Sequence, residues 1–127
     1  MDSSLTHTVL YSSQVLDHFQ NPRNAGDVSE PDATVQLENP VCGDILKLTL
    51  KVADGHITEI RFRAKGCVPA MACGSKLTEM VQQTTVVDAR KLKSDDLVQA
   101  LGGLPEASAH ASQLALDALM TALRKFS

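Results

Sequence analysis

Hydrophobic and polar positions change period along this chain. Tyr11, Val15 and Phe19 recur at helical spacing with Leu16 beside them until Asn21-Pro22 stops the pattern, which predicts an amphipathic helix over residues 8–20. Pro22-Arg23-Asn24-Ala25-Gly26 follows as an ordered turn or loop. From residue 33 the period drops to two: Val35 and Leu37 alternate with Gln36 and Glu38, as in a strand. After Asn39-Pro40 and Gly43 the alternation resumes, with Leu46, Leu48, Leu50 and Val52 on one face and Lys47, Thr49 and Lys51 on the other. This second strand is expected to have one wet face. Asp54-Gly55 is a hairpin signal, and a third strand sets Ile60, Phe62 and Ala64 against Arg61, Arg63 and Lys65.

The register follows from making apolar faces coincide. Pairing Leu48 with Phe62 and Leu50 with Ile60 does so and predicts a three-residue loop, 54–56, whereas a two-residue loop would set Leu48 against Arg61. Extended toward the open end of the hairpin, this register brings Cys67 opposite Gly43, between Cys42 and Asp44. Cross-strand neighbours have Cβ atoms about 5 Å apart, near enough for two sulfurs to share one metal at about 2.3 Å each. The strands are expected to fray there, and the register alone does not say which way the side chains face. Gly66 then ends the strand, Pro69 suits a first helical position, and the next helix carries the stripe Ala70, Cys73, Leu77, Met80 and Val81. Residues 95–101 read as a short helix ended by Gly102 and Gly103, and residues from about 108 to 126 as a last helix with Arg124 and Lys125 in its final turn. The fold class expected is α+β: a three-stranded antiparallel meander with helices packed on its one apolar face.

Length bears this out as one domain, 1–127, with no internal repeat; the first few residues and Gly102-Gly103 are expected to be the least ordered. Twelve Lys and Arg against fifteen Asp and Glu give a net charge of -3, which argues against a nucleic-acid or anionic-membrane partner. No apolar run approaches the roughly eighteen residues of a membrane span, and the first ten residues lack a basic region and a hydrophobic block, so a cytoplasmic protein is expected. Three cysteines are too few for a disulfide scaffold and leave three roles open: core thiol, metal ligand or reactive group.

Cys42 sits in a glycine-hinged, polar turn beside Asp44, which favours a ligand over a small residue completing the turn. Cys67 precedes a helix N-terminus, where a positive dipole end favours thiolate, for binding a metal or attacking an electrophile. Cys73 lies on the apolar stripe, six residues on and turned away at about 100° per residue, as a core thiol does. The same turn makes a Cys67–Cys73 disulfide awkward. His7, His18 and His56 have no cysteine near them in sequence, and His110 begins the last helix, where it could reach a site built elsewhere or act as a solvated or capping residue.

These residues resemble the NifU-like and IscU-like iron-sulfur cluster scaffold family over nearly the whole chain. Tyr11-x3-Val15-x-Asp17-His18-Phe19-x2-Pro22-Arg23-Asn24-x-Gly26 is similar to the family's opening. Asn39-Pro40-Val41-Cys42-Gly43-Asp44 resembles its first ligand loop, and Gly66-Cys67 before a small-residue helix its second. The third element, Leu-Pro-Pro-Val-Lys-x-His-Cys-Ser, aligns without gaps on residues 104–112 but is broken here: Ala111 stands at the third cysteine, which the resemblance assigns to metal binding and sulfur acceptance. Glu106-Ala107-Ser108 replaces Pro-Val-Lys of the Hsp70-type chaperone recognition stretch, which argues against dedicated chaperone release, and Cys73 stands at what looks like a serine position.

The resemblance adds His110 to Cys42, Asp44 and Cys67 as a fourth ligand. Two thiolates, an imidazole and a carboxylate satisfy tetrahedral zinc, and a 2Fe–2S cluster also takes four terminal ligands, mixed Cys/His ligation having precedent. The function expected is a scaffold or carrier that holds a labile iron-sulfur cluster and passes it to apo-proteins, with a cysteine desulfurase as the implied sulfur-supplying partner. The alternative is a degenerate paralogue with a structural zinc or empty site, acting as a partner-binding module. A thiol or zinc hydrolase is disfavoured, because no nucleophile-base-orienter pattern and no zinc-deaminase signature is present.

Overall fold

The computed structural model describes residues 11–41 and 43–126. The alternating segments form one antiparallel sheet in the order β1-β2-β3: β1 Ala33–Glu38, β2 Ile45–Ala53 and β3 His56–Lys65. Leu48 pairs with Phe62 and Leu50 with Ile60, as the apolar pattern demands. The three-residue loop is not what achieves this. Val52 pairs with Ile57 and Ala53 with His56, leaving a two-residue turn in which Asp54 (φ 52°) and Gly55 (φ 76°) are both left-handed. Such a turn matches the right-handed twist of the strands it joins. A bulge between Lys51 and Val52 absorbs the extra residue, so both the preferred turn and the facing of the core are kept.

The sheet's apolar face, Leu46, Leu48, Leu50, Ile60 and Phe62, is buried under helices. Helix α2, Val68–Val81, packs on β3, and the C-terminal helix α5, Ala109–Leu123, lies across β1 and β2. Each fully buried Leu, Ile or Phe contributes about 1.5–3 kcal/mol. Gly74 lets α2 approach closely, since a Cβ there would meet the Phe62 ring at 2.6 Å. The stripe of α2 is as expected at Ala70, Cys73, Leu77 and Val81, with Met80 half-buried; the helix begins one residue early, with Val68 first and Pro69 second.

Helix α1 spans Ser13–Gln20, shorter than the 8–20 expected; residues 8–10 lie outside the described residues, and Ser12 caps the helix by accepting from the Val15 amide. Its buried face is also rotated from the expected one. His18 is buried and Phe19 is 40% exposed, because His18 Nδ1 and Ser75 Oγ of α2 make a 2.7 Å hydrogen bond. A four-residue helix that the pattern did not announce, α3 Val86–Ala89, follows α2, and α4 covers Ser94–Ala100. The amides of Gly102 and Gly103 bond to the carbonyls of Gln99 and Val98, closing α4 with left-handed φ of 73° and 100°.

The polar face of the sheet is only partly wet. Residues 24–32 bond to the free edge of β3, Gly26 N–H to Phe62 O and Phe62 N–H to Asn24 O, and then cross the polar face. The Val28 amide donates to Thr49 Oγ1 at 2.8 Å, and Asp27 bridges Arg63 (2.9 Å) and Lys47 (3.2 Å), which stand opposite each other. Val28 and Thr49 are buried as a result. No helix among the described residues is long and apolar enough to cross a membrane.

Candidate metal centre

Three element ends converge at the open end of the hairpin. The last strand pair is Ile45 with Lys65, so one further step sets Asp44 against Gly66. Gly66 is required there: its φ is 140°, and a Cβ would lie 2.0 Å from Asp44 Oδ1. The carboxylate uses the space to reach Cys67, which is the N-cap residue of α2. Oδ1 accepts from the Cys67 backbone N–H at 3.2 Å, and Oδ2 lies 3.1 Å from Cys67 Sγ. A turn of 3-10 helix, Glu106–Ser108, leads into α5 and sets His110 in that helix's first turn. His110 Nε2 lies 3.5 Å from Asp44 Oδ2.

Asp44, Cys67 and His110 therefore offer a carboxylate oxygen, a thiol sulfur and an imidazole nitrogen that all lie within 4.8 Å of one another. Asp44 is buried, whereas the His110 side chain is 36% exposed and Val41 on the loop before the carboxylate is 94% exposed, so the cluster opens to solvent on the loop side. His110 Nε2 is itself buried and makes no hydrogen bond among the described residues. Its approach to Asp44 is within ion-pair distance but lacks hydrogen-bond geometry. A buried ring nitrogen left without a hydrogen bond beside a thiol and a carboxylate fits a metal ligand, and the mixed donor set suits zinc or iron. The fourth sequence-expected ligand, Cys42, lies outside the described residues.

One carboxylate oxygen, Asp44 Oδ2, stands against both Cys67 Sγ and His110 Nε2, a different order from a triad in which the base bridges nucleophile and orienting carboxylate. Cys73 takes no part. It has no solvent exposure, and burial foremost, with the neighbouring Cys67 second, pushes its thiol up to about 12. Ala111, next to His110, is 1% exposed and belongs to the hydrophobic core. His18, Arg23 and Asn24 of the opening motif brace α2. Ser75 Oγ receives the Arg23 amide as well as bonding to His18, and Asn24 Nδ2 donates to Thr78 Oγ1. Burial, reinforced by Arg23, holds the His18 pKa below its usual value. That bracing role was missed in the sequence, where the motif's polar residues gave no helical periodicity to reveal it.

The NifU-like N terminal domain model matches residues 10–127. The chain belongs to that family. Within it, the chain is similar to the iron-sulfur cluster assembly scaffold protein IscU 1 of Archaeoglobus fulgidus, 45% identical over 114 residues, which are 90% of this chain and 74% of the relative. It is 39% identical over 118 residues to the iron-sulfur cluster assembly scaffold protein IscU of Aquifex aeolicus, covering 91% of this chain and 75% of that one. Among solved structures, a NifU-like N-terminal protein from Brucella abortus superposes with a TM-score of 0.73 over 91% of this chain and 93% of that one; at 23% identity this likeness concerns the fold.

Proposed function

We propose that this NifU-like chain is an iron-sulfur cluster assembly scaffold or carrier, binding a labile cluster as cargo at Asp44, Cys67 and His110, with Cys42 from the adjoining loop as fourth ligand, and delivering it to apo-proteins. The observation that carries this reading is the convergence of three chemically different donor atoms within 4.8 Å, one of them a buried imidazole nitrogen with no hydrogen bond among the described residues. Membership of a family whose similar members are named as cluster scaffolds supports it. The cargo we favour is a 2Fe–2S cluster, for which four terminal ligands suffice.

Lability follows from the donors. A carboxylate is a harder ligand than thiolate and binds iron of a cluster less tenaciously. In this chain Asp44 has other partners waiting: Oδ1 is already held by the Cys67 amide, so the carboxylate has a stable place to return to when cargo leaves. The exposed Val41 loop leaves room for a receiving protein at the mouth. The chain would act by holding and releasing cargo in the cytoplasm, with a cysteine desulfurase upstream. Anaerobic reconstitution with iron and sulfide tests this: we expect visible absorption and one cluster's iron per site, lost in Cys67→Ser, and a colourless, iron-free protein would refute it.

Zinc is the second reading, since the four donors also complete a tetrahedral zinc site and the position after His110 is alanine in the core rather than a thiol. Metal analysis of freshly purified protein separates the two: zinc without iron or sulfide, and no cluster on reconstitution, would favour a partner-binding module.

A further inference from the structure

We propose that Asn39 is a positioning residue of the metal centre, whose side chain folds the turn that sets the Asp44 carboxylate against Cys67 and His110. The inference deepens the reading above and rests on it, because it requires Asp44 to be a donor. Asn39 directly follows β1, and Pro40 comes next. Proline has no N–H and keeps the residue before it out of helical backbone, so the first amide that can close a turn here belongs to Val41. Asn39 Oδ1 accepts that N–H at 2.9 Å, a side-chain bond two residues on that stands in for a backbone turn. The main chain of Asn39 makes two further bonds across the turn. Its carbonyl accepts the Gly43 N–H and its N–H donates to the Asp44 carbonyl, both at 2.8 Å. The second bond carries the β1–β2 register one step past the Glu38–Ile45 pair. Asp44 is therefore tied to Asn39 on one side and stands against Gly66 on the other, where any Cβ would strike its carboxylate.

Hydrogen bonds hold this turn more than packing does. Pro40, Val41 and Gly43 are exposed, whereas Asp44 is buried, so the described part of the turn contributes little apolar contact before the carboxylate is reached. The carboxylate in turn has little tolerance for a drifting backbone. Oδ2 stands 3.1 Å from Cys67 Sγ and 3.5 Å from His110 Nε2, groups set at the starts of two different helices, and a shift of about 1 Å spoils one distance or the other. Asn39 and Pro40 also share a groove of about 210 Å³ with His110 and Leu114 of α5, so the same turn borders the surroundings of the imidazole. Removing the Oδ1 acceptor frees the Val41 amide, loosens the two main-chain bonds behind it and lets Asp44 move relative to both neighbours.

Three variants of the full chain test this role. Asn39→Ala removes the acceptor, Asn39→Gln keeps the amide but moves it one methylene out, and Asn39→Asp keeps an acceptor oxygen at the same reach. In the metal-free protein, amide hydrogen exchange is read by NMR at Val41 and Gly43. We expect faster exchange at both in Asn39→Ala and Asn39→Gln, exchange close to wild type in Asn39→Asp, and a thermal midpoint little changed throughout. The metals are then added alone: cobalt(II) for its visible ligand-field bands, zinc for its affinity in competition with a chelator. We expect zinc binding about tenfold weaker, and cobalt bands shifted and reduced, in Asn39→Ala and Asn39→Gln. The extra charge of Asn39→Asp favours any cation, so its rescue is read from the cobalt band shape and the exchange rates, both of which should match wild type. The proposal is overturned if Asn39→Ala keeps wild-type exchange at Val41 and Gly43. It is equally overturned if exchange rises while the cobalt bands and zinc affinity stay as in wild type, which would make the turn structural alone. A wild-type chain that takes up neither cobalt nor zinc would defeat the metal-centre reading itself, and this role with it.

Discussion

Cys67 and Cys73 lie six positions apart at the start of one helix, and that separation divides a thiol at the donor cluster from a core side chain. Since the buried thiol is held near 12, Cys73→Ala should leave metal binding unchanged while costing about 1–2 kcal/mol of stability, the scale of a small core deletion; a loss of bound metal would assign Cys73 to the site. Gly66 is the opposite case, a residue without a side chain that decides where another side chain goes. Gly66→Ala puts a Cβ on Asp44 Oδ1 at a φ of 140°. We expect about 1–3 kcal/mol of destabilisation and roughly a tenfold or greater loss of metal affinity, read by denaturation and competition with a chelator. His18 gives a pH signature. Its pKa is lowered in the folded state, so between that value and about 6.5 the unfolded chain binds the proton and the folded chain does not. Stability is therefore full above that range and falls as pH drops through it. The lowered carboxylates Asp17, Asp27 and Glu79 extend the fall further into acid. In His18→Asn the slope of stability against pH between about 7 and 5 should flatten, and an unchanged slope would mean that His18 is not the group responsible.

At the scale of elements, strands and helices were legible wherever one face is apolar and the other polar. That held for Leu46, Leu48 and Leu50, and for the stripe of α2. It failed where a polar group is buried with a partner distant in sequence. His18 displaced Phe19 from the inner face of α1 because Ser75 waits on another helix, and Thr49 lost its water because residues 24–32 cross the sheet. Neither partner is visible in local periodicity. The hairpin shows how a correct register can come from an incorrect loop, since turn geometry and core facing were satisfied separately by the Asp54-Gly55 turn and a bulge. Thr49→Val tests the crossing segment. It keeps the shape but strands the Val28 amide in a buried place, and should cost about 1–3 kcal/mol with no change in metal binding. A neutral effect would mean that the crossing segment contributes little to stability.

For the molecule as a whole, local rules pointed to Cys42, Asp44 and Cys67, of which Cys42 lies outside the described residues, and did not point to His110. Asp44 and Cys67 follow from extending the Leu48–Phe62 register to the end of the hairpin, and the structure brings them to 3.1 Å. His110 came only from the family resemblance. Its approach depends on how α5 lies across β1 and β2, a packing angle that no short stretch of sequence encodes. The most direct measurement is X-ray absorption at the zinc edge of the zinc-loaded protein. The account predicts a four-donor shell with two sulfurs at about 2.3 Å and two N/O donors near 2.0–2.2 Å, an imidazole scattering pattern that disappears in His110→Ala, and one sulfur fewer in Cys67→Ser. A shell of oxygen and nitrogen alone, or one indifferent to both substitutions, would contradict it.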